Sequence, residues 1–426
     1  MRHFWFIIYN SFVIPALWLG FKIYGIFNSK VREGFKGRRD LFRKLSGSLL
    51  HLNGEGRHIL IHCSSLGEYQ QAIPLMEEME GKGFVITVSF FSPSGYKNSK
   101  IPNENIVKTY LPFDSVKKVR KFLDAGKFDA IIFMRYDLWY NLVYEAKRKG
   151  IKLIIANARL DEKDMFWKLP VFKSMKRALY NMIDVIFVID EEDRDSYSRY
   201  LDTQKTEIRL VGDSKYERVY AASLNKQYDD VIPSEIIKDR KVFVIGSSWK
   251  DDEDVILPVV NKVTEYENDL LTFLVPHEPK EKKIDIIEKT IREKYENIKS
   301  IRYSDIENYN NENLIIVDRI GILMSLYSIG YVSYVGGGLK SGLHNILEPA
   351  IFNMPVFFAN KVKNSDEDVI LLKSGCGKVV EDQRTFYRNF RNVLRDKELH
   401  DSMARGCRFV FEGSLGTAKK IVENIV

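Results

Sequence analysis

Cysteine is nearly absent. Cys63, Cys376 and Cys407 are the only three in 426 residues. Three cannot build a disulfide framework, and they fit a reducing compartment. The seven histidines are scattered, with no Cys/His spacing suited to zinc. The chain lacks a Gly-x-Ser-x-Gly elbow, the Gly-Lys-Ser/Thr of a P-loop and the Gly-x-Gly-x-x-Gly of a dinucleotide fold. It also lacks low-complexity segments and short-period repeats. Charge excess is confined to one place. From Lys22 to Leu50, eight basic residues stand against Glu33 and Asp40, a net of +6 within a total of +7. Arg2 supplies the rest, so the chain after residue 50 is formally neutral. That argues against a general nucleic-acid binder, whose basic excess lies on a folded face.

Apolar residues make up 45% of the chain and aromatics 12%, too hydrophobic for disorder and enough for the cores of two or three domains. The run Phe4–Phe21 contains no charge. As a helix it covers about 27 Å, close to a hydrocarbon core. Trp5, Tyr9, Trp18 and Tyr24 sit near its ends, as interfacial rings do. Three readings are open: a membrane anchor, spanning or re-entrant; a buried core helix; and a cleaved signal peptide. The anchor reading makes residues 1–27 a separate unit, removable without harm to the fold. It keeps the basic cluster on the cytoplasmic side, against anionic headgroups. A solvated charged linker is the plainer reading of that cluster.

Beyond residue 50, short apolar runs alternate with amphipathic stretches. Strands are expected at 58–63, 84–90, 128–134, 152–156 and 184–189, then at 241–246, 270–275, 314–317, 331–335 and 355–359. Helices are expected at 67–80, 115–125, 138–149, 165–182, 251–266, 279–295, 320–329, 343–352 and 383–397. Continuous apolar strands alternating with helices indicate parallel sheets covered on both faces. The segments beginning HILIHCSSLGE and KVFVIGSSWKD echo one another, 183 residues apart at their Ser-Ser turns. The fold class is therefore α/β, two doubly wound, Rossmann-like domains facing across a cleft. The polar segment 223–240 links them.

In such sheets ligands bind at the carboxyl ends of strands, and the sequence marks those ends. Ser64-Ser65-Leu66-Gly67-Glu68 follows a buried strand and opens a helix. Glu68 can take a proton from an incoming hydroxyl there, or it can merely complete a capping box. Val335-Gly336-Gly337-Gly338 follows another strand. Its glycine N–H groups either cradle a phosphate or only shape a turn. Asn345-Ile346-Leu347-Glu348 comes next, with a carboxylate one turn into a helix and suited to ribose hydroxyls. Ser247-Ser248, Pro276-His277 and Ile320-Gly321-Ile322 mark further strand-to-helix turns. The acidic runs Asp190–Asp193 and Asp251–Asp254 suit helix dipoles better than metal.

These motifs together resemble the 3-deoxy-D-manno-octulosonic acid (Kdo) transferases of lipopolysaccharide synthesis, over residues 58–380 and the N-terminal stretch. The family's Ser-x-Gly-Glu is Ser65–Glu68, and its Glu-Leu-Trp-Pro-Asn is similar to Asp137–Asn141. Its Asn-Ala-Arg-Leu is Asn157–Leu160, its Gly-Asn-x-Lys-Phe is similar to Gly212–Tyr216, and its long Gly-Gly…His-Asn-x-Leu-Glu-Pro motif runs from Gly337 to Pro349. Asp137, Tyr140, His277 and Ile322 stand where the family commonly has Glu, Pro, Arg and Glu. The resemblance implies a GT-B fold and a metal-independent inverting glycosyltransferase without cofactor. Its donor would be CMP-Kdo and its acceptor a lipid A precursor of the lipid IVA type, at the cytoplasmic face of the inner membrane, with no nucleic acid partner. It implies a membrane anchor over 1–27, an acceptor domain over 28–222 and a donor domain over 241–410. A C-terminal helix over 411–426 would cross back to the first domain. Glu68 would be the general base, with Asp137 and Lys215 supporting the transition state. CMP would contact Ser247, Ser248, Pro276, His277, Ile320, Gly321, Ile322, Gly337, Gly338, Asn345, Ile346, Leu347 and Glu348. A GT-B enzyme with a UDP-sugar donor and a non-catalytic membrane scaffold are the rival readings.

Overall fold

The structure is a computed structural model. It describes every residue except 52–55, 104, 161–163, 225–230, 363–366, 413–414 and 426. Part of the expected linker, 225–230, thus lies outside the described residues. The chain divides into two compact units. The first holds Met1–Arg218 and Ser414–Val426, the second Val219–Gly413.

Among the described residues each unit is built on one seven-stranded sheet. In the first unit the strands are β1 (Arg57–Cys63), β2 (Phe84–Phe90), β3 (Ile106–Tyr110), β4 (Ala130–Met134), β5 (Lys152–Ala158), β6 (Val185–Val188) and β7 (Glu207–Leu210). They lie in the order β3-β2-β1-β4-β5-β6-β7, every pair parallel. The second unit has β8 (Lys241–Ser248), β9 (Leu270–Pro276), β10 (Ser300–Arg302), β11 (Leu314–Ile316), β12 (Val332–Val335), β13 (Val356–Phe358) and β14 (Gly377–Val379). Their order is β10-β11-β9-β8-β12-β13-β14, again all parallel. Both sheets are doubly wound, and the order reverses at β1/β4 and at β8/β12. These switch points are where a doubly wound sheet opens a crevice for ligand.

The central strands carry apolar side chains on both faces, as sheets covered twice must. In β1, Leu60 enters one core cluster while Ile59, Ile61 and Cys63 enter the other. The four strands not expected from the sequence are β3, β7, β10 and β14. β7 (EIRL) is polar, and β10 and β14 have three residues each. All four lie at sheet edges, where one flank is free and a continuous apolar run is not required.

The N-terminal segment is a 26-residue helical stretch, Arg2–Phe27, long and apolar enough to cross a membrane. A π-helical turn at Tyr9–Val13 interrupts it just before Pro15, whose missing N–H breaks the regular ladder. The segment is not a detached unit. Trp5 and Tyr9 are buried in the first core, Phe6 stacks on Tyr144 at 4.0 Å, and Tyr9 lies 5.3 Å from Tyr140. From Leu17 to Phe27, by contrast, Leu17, Trp18, Leu19, Ile23, Tyr24, Ile26 and Phe27 are all exposed. The segment therefore divides between the core-helix and anchor readings. Seven of the eight basic residues at 22–50 are exposed. Arg38 is turned inward and donates to the carbonyls of Gly34, Phe91 and Leu111.

At the other end, the helix Thr417–Glu423 lays Ala418, Ile421 and Val422 into the core cluster that holds Ile59, Ile61 and Cys63, against the helix Leu66–Met79. The preceding helix, Lys397–Glu412, belongs to the second unit.

Candidate active site

The first unit gathers its polar residues at the carboxyl ends of β1, β4, β5 and β7. Ser65, extended after β1, caps the helix Leu66–Met79 by accepting from Glu68 N–H at 3.3 Å. The Glu68 carboxylate turns back onto Ser64, accepting from its N–H and from its hydroxyl at 2.9 Å. This is the capping reading, displaced by one residue, and it does not displace the chemical one. Glu68 is 7% exposed. Burial pushes its pKa upward from the ordinary carboxylate value, against the pull of the two Ser64 donors. The nearby Asp137 carboxylate acts in the same direction as burial, raising it further. A carboxylate whose proton affinity is raised in this way is better suited to taking a proton from an incoming hydroxyl.

Asp137 follows β4 at the same switch point. Its Oδ2 is 3.0 Å from His62 Nε2 and accepts from Trp139 Nε1 at 3.3 Å. Two residues earlier Arg135 holds φ +65°, a left-handed conformation that only a fixed surrounding sustains in a non-glycine residue. Its Nε donates to Gln71 Oε1 at 3.1 Å. Gln71 lies one turn beyond Glu68, and its carbonyl accepts from Ser214 Oγ at 2.7 Å. Asn157, at φ +53° in β5, donates to Asp213 Oδ1 at 3.0 Å and Ser214 Oγ at 2.7 Å. Asp213 in turn accepts Lys215 N–H at 2.9 Å, fixing the backbone that carries Lys215. Glu68, Asp137 and the turn bearing Lys215 are thus joined through Gln71, Asn157 and His62. None of these three is among the catalytic or binding residues expected from the sequence, although Asn157 opens the Asn157–Leu160 motif. For His62 the signal was present as a polar ring inside the apolar strand HILIHC.

The second unit converges on the β8/β12 switch point. Ser248 is buried and donates to Glu253 at 2.9 Å, so its hydroxyl is already used, while Ser247 takes φ +53°. Ser248 O accepts His277 N–H at 3.0 Å, which brings Pro276-His277 alongside. His277 stacks on His344 with centroids 4.3 Å apart, and Trp249 Nε1 donates to His344 Nε2 at 3.0 Å. Trp249 and His344 are further members of the cluster; His344 lies within the Gly337–Pro349 motif but is given no binding role from the sequence, and Trp249 is not marked there.

The glycine turn differs from the phosphate-cradle expectation at two of its N–H groups. Gly336 N–H is spent on Gly246 O, and Gly337 N–H on Asp252 Oδ2, each at 2.9 Å. Gly337 has φ +93°, and a Cβ on Gly338 would run into the Ala359 carbonyl. Close approach of the chain to itself is what requires glycine here.

The helix expected from 343 is only Leu347–Ala350. Asn345 Oδ1 accepts Leu347 N–H at 3.2 Å and so defines the start, and Pro349 suits a first turn. Glu348 is therefore at the opening of that helix, with Asn345 Nδ2 donating to its Oε1 at 3.0 Å. Ile346 and Leu347 are fully buried and Ile322 nearly so, so their side chains serve the core. Gly321 takes φ +93°, and Ile320 stands 80% exposed at the same turn.

Residues 33–218 match the family described as 3-deoxy-D-manno-octulosonic-acid transferase (kdotransferase). The chain is 30% identical over 375 residues to a bifunctional glycosyltransferase/methyltransferase of Fusobacterium nucleatum, covering 83% of this chain and 55% of that protein. It therefore spans about half that relative's length. It is 27% identical over 375 residues to the 3-deoxy-D-manno-octulosonic acid transferase of Haemophilus influenzae, covering 86% of each. Among solved structures it is similar to UDP-GlcNAc 2-epimerase from Neisseria meningitidis, with a TM-score of 0.56, 14% identity and coverage of 86% of this chain and 99% of that one. That likeness shows the fold, two doubly wound units of GT-B type. Residues 33–218 thus match the 3-deoxy-D-manno-octulosonic-acid transferase family, and over most of its length the chain is similar to Kdo transferases.

Proposed function

We propose that the chain transfers Kdo from CMP-Kdo to a lipid A precursor of the lipid IVA type, with inversion and without metal. The observation that carries this reading is the buried Glu68 carboxylate at the β1/β4 switch point, beside Asp137 and with its proton affinity raised by burial. Glu68 takes the proton of a primary sugar hydroxyl on the acceptor. The freed oxygen bonds to the anomeric carbon of the donor sugar, and the bond from that carbon to the CMP phosphate breaks, its electron pair leaving with CMP. Lys215 offsets negative charge on the sugar carboxylate or the phosphate. In the second unit Glu348, oriented by Asn345, accepts the ribose hydroxyls, and His277 meets the phosphate. General-base action contributes about 10²–10⁴-fold, and positioning supplies the rest.

The reading places the protein on the cytoplasmic face of the inner membrane. The exposed apolar face of Arg2–Phe27 supports this, as do exposed Leu169, Val171 and Phe172 and the basic side chains at 22–44. With Trp5 and Tyr9 held in the core, the early turns lie along the leaflet and do not cross it.

The test is mass spectrometry of the product formed from CMP-Kdo and a tetra-acylated lipid A precursor, with UDP-sugars as competing donors and chelator in a parallel reaction. Added Kdo mass, insensitive to chelator and lost in Glu68→Gln, supports the reading. Transfer from a UDP-sugar in place of CMP-Kdo overturns it.

A further inference from the structure

His62 occupies the interior of β1 and is fully buried. Its same-face neighbour in the strand, Leu60, is aliphatic, and Phe133 meets the ring edge-on at 6.2 Å. Packing alone would be served by another apolar residue. An imidazole is tolerated at such a place when both ring nitrogens are partnered. Nδ1 is 2.9 Å from the hydroxyl of Ser89, its register partner on β2, and Nε2 is 3.0 Å from Asp137 Oδ2.

The chain of bonds specifies the tautomer. Ser89 is fully buried, and among the described residues its hydroxyl has no other hydrogen-bond partner than His62. Its O–H therefore donates to Nδ1, and Nε2 carries the ring proton and donates to Asp137. An imidazolium would leave the Ser89 hydrogen without an acceptor. Trp139 Nε1 reaches the same Oδ2 at 3.3 Å. Both donors thus converge on one oxygen of Asp137, and Oδ1 takes no hydrogen bond from the described residues.

We infer that His62 is a positioning residue for the transfer reaction: the Ser89–His62 pair clamps one oxygen of Asp137 and presents the other to substrate beside Glu68. The inference rests on the proposed roles of Glu68 and Asp137. His62 is too deeply buried to touch substrate, so it acts through Asp137. Holding that carboxylate in place also sustains the negative charge that strengthens Glu68 as a base.

The full-length protein in detergent provides the test, with CMP-Kdo and the lipid A precursor as substrates. His62→Leu removes the donor, and kcat is expected to fall roughly 10–100-fold with the donor KM nearly unchanged. His62→Gln keeps an N–H directed at Asp137 and is expected to restore most of that loss. In an Asp137→Ala background, His62→Leu is expected to cost nothing further, since its partner is already gone. A loss that Gln does not rescue, or one that adds in full to Asp137→Ala, would make His62 a core residue only. The nitrogen-15 spectrum of the ring reads the inference without turnover. A protonated Nε2 and an acceptor Nδ1 are expected in the wild type, with Nε2 shifting in Asp137→Asn, and the opposite tautomer would overturn the clamp. Wild-type protein that moves no Kdo defeats the proposed function, while an unaffected His62→Leu variant of an active enzyme defeats only this inference.

Discussion

Asn10 and Asn141 exchange two side-chain hydrogen bonds, each 2.8 Å long, between residues 131 positions apart in sequence. Asn141 Nδ2 also donates to Asp114 O, while Tyr140 OH donates to Arg2 O at 2.9 Å and His3 pairs with Tyr144 OH at 2.7 Å. The first turns of the N-terminal helix are therefore bonded into the domain through polar groups. Removing them breaks these bonds and exposes to water the core surface that Trp5 and Tyr9 cover. Deletion of residues 1–13 is expected to lower the melting temperature sharply or to prevent soluble expression. This replaces the expectation that 1–27 can be cut away without harm. A truncated protein that melts as the full chain does would refute it.

Asp114 is buried beneath this helix, and burial pushes its pKa up to about 7 despite hydrogen bonds from Asn141 and Leu142 N–H groups. In the unfolded chain it titrates in the ordinary carboxylate range. Between that range and about pH 7 the folded state holds a proton that the unfolded state has released, so stability falls as pH rises through this window. Denaturant midpoints measured from pH 4 to pH 8 should show that decline, and Asp114→Asn should flatten it. An unchanged slope in the variant would assign the effect to other groups.

Glu348 is oriented by Asn345 at 3.0 Å. If its carboxylate accepts the ribose hydroxyls, Glu348→Ala should weaken CMP binding by about 1.5–3 kcal/mol. Asn345→Ala should weaken it less. Calorimetry with CMP checks both, and equal affinity in all three proteins would reduce Glu348 to a helix-opening residue.

At Gly338 the carbonyl of Ala359 occupies the space a Cβ would need. Gly338→Ala should displace the loop between β12 and the Leu347–Ala350 helix, lowering CMP affinity and stability together. A variant with wild-type melting and CMP binding would show that the loop yields freely.

Phe4, Ile7 and Phe12 are exposed on the docked part of the N-terminal helix. Replacing all three by serine should weaken binding to anionic vesicles while the core contacts of Trp5 and Tyr9 keep the fold. What binding remains should disappear as salt rises, because the attraction of the exposed lysines and arginines is screened within about 8–10 Å. Binding that stays unchanged at high salt would place the membrane contact elsewhere, with Leu169, Val171 and Phe172 the next surface to alter.

The sequence by itself determined the two doubly wound halves and the places where chemistry enters them. Runs such as ILIHC and VFVIG read as buried strands by their length and flanking turn residues, and Ser-Ser-Leu-Gly-Glu reads as a strand-to-helix turn, because these signals and capping are local. Glu68 was legible for that reason. Only the tertiary structure decided that His62 lies within hydrogen-bond reach of Asp137, that Asp252 takes the N–H of Gly337, and that Trp5 and Tyr9 belong to a core. Each of these depends on a partner dozens of residues away. A side chain's hydrogen bonds and burial are set by which strands and helices lie beside it, and no local pattern encodes that neighbour.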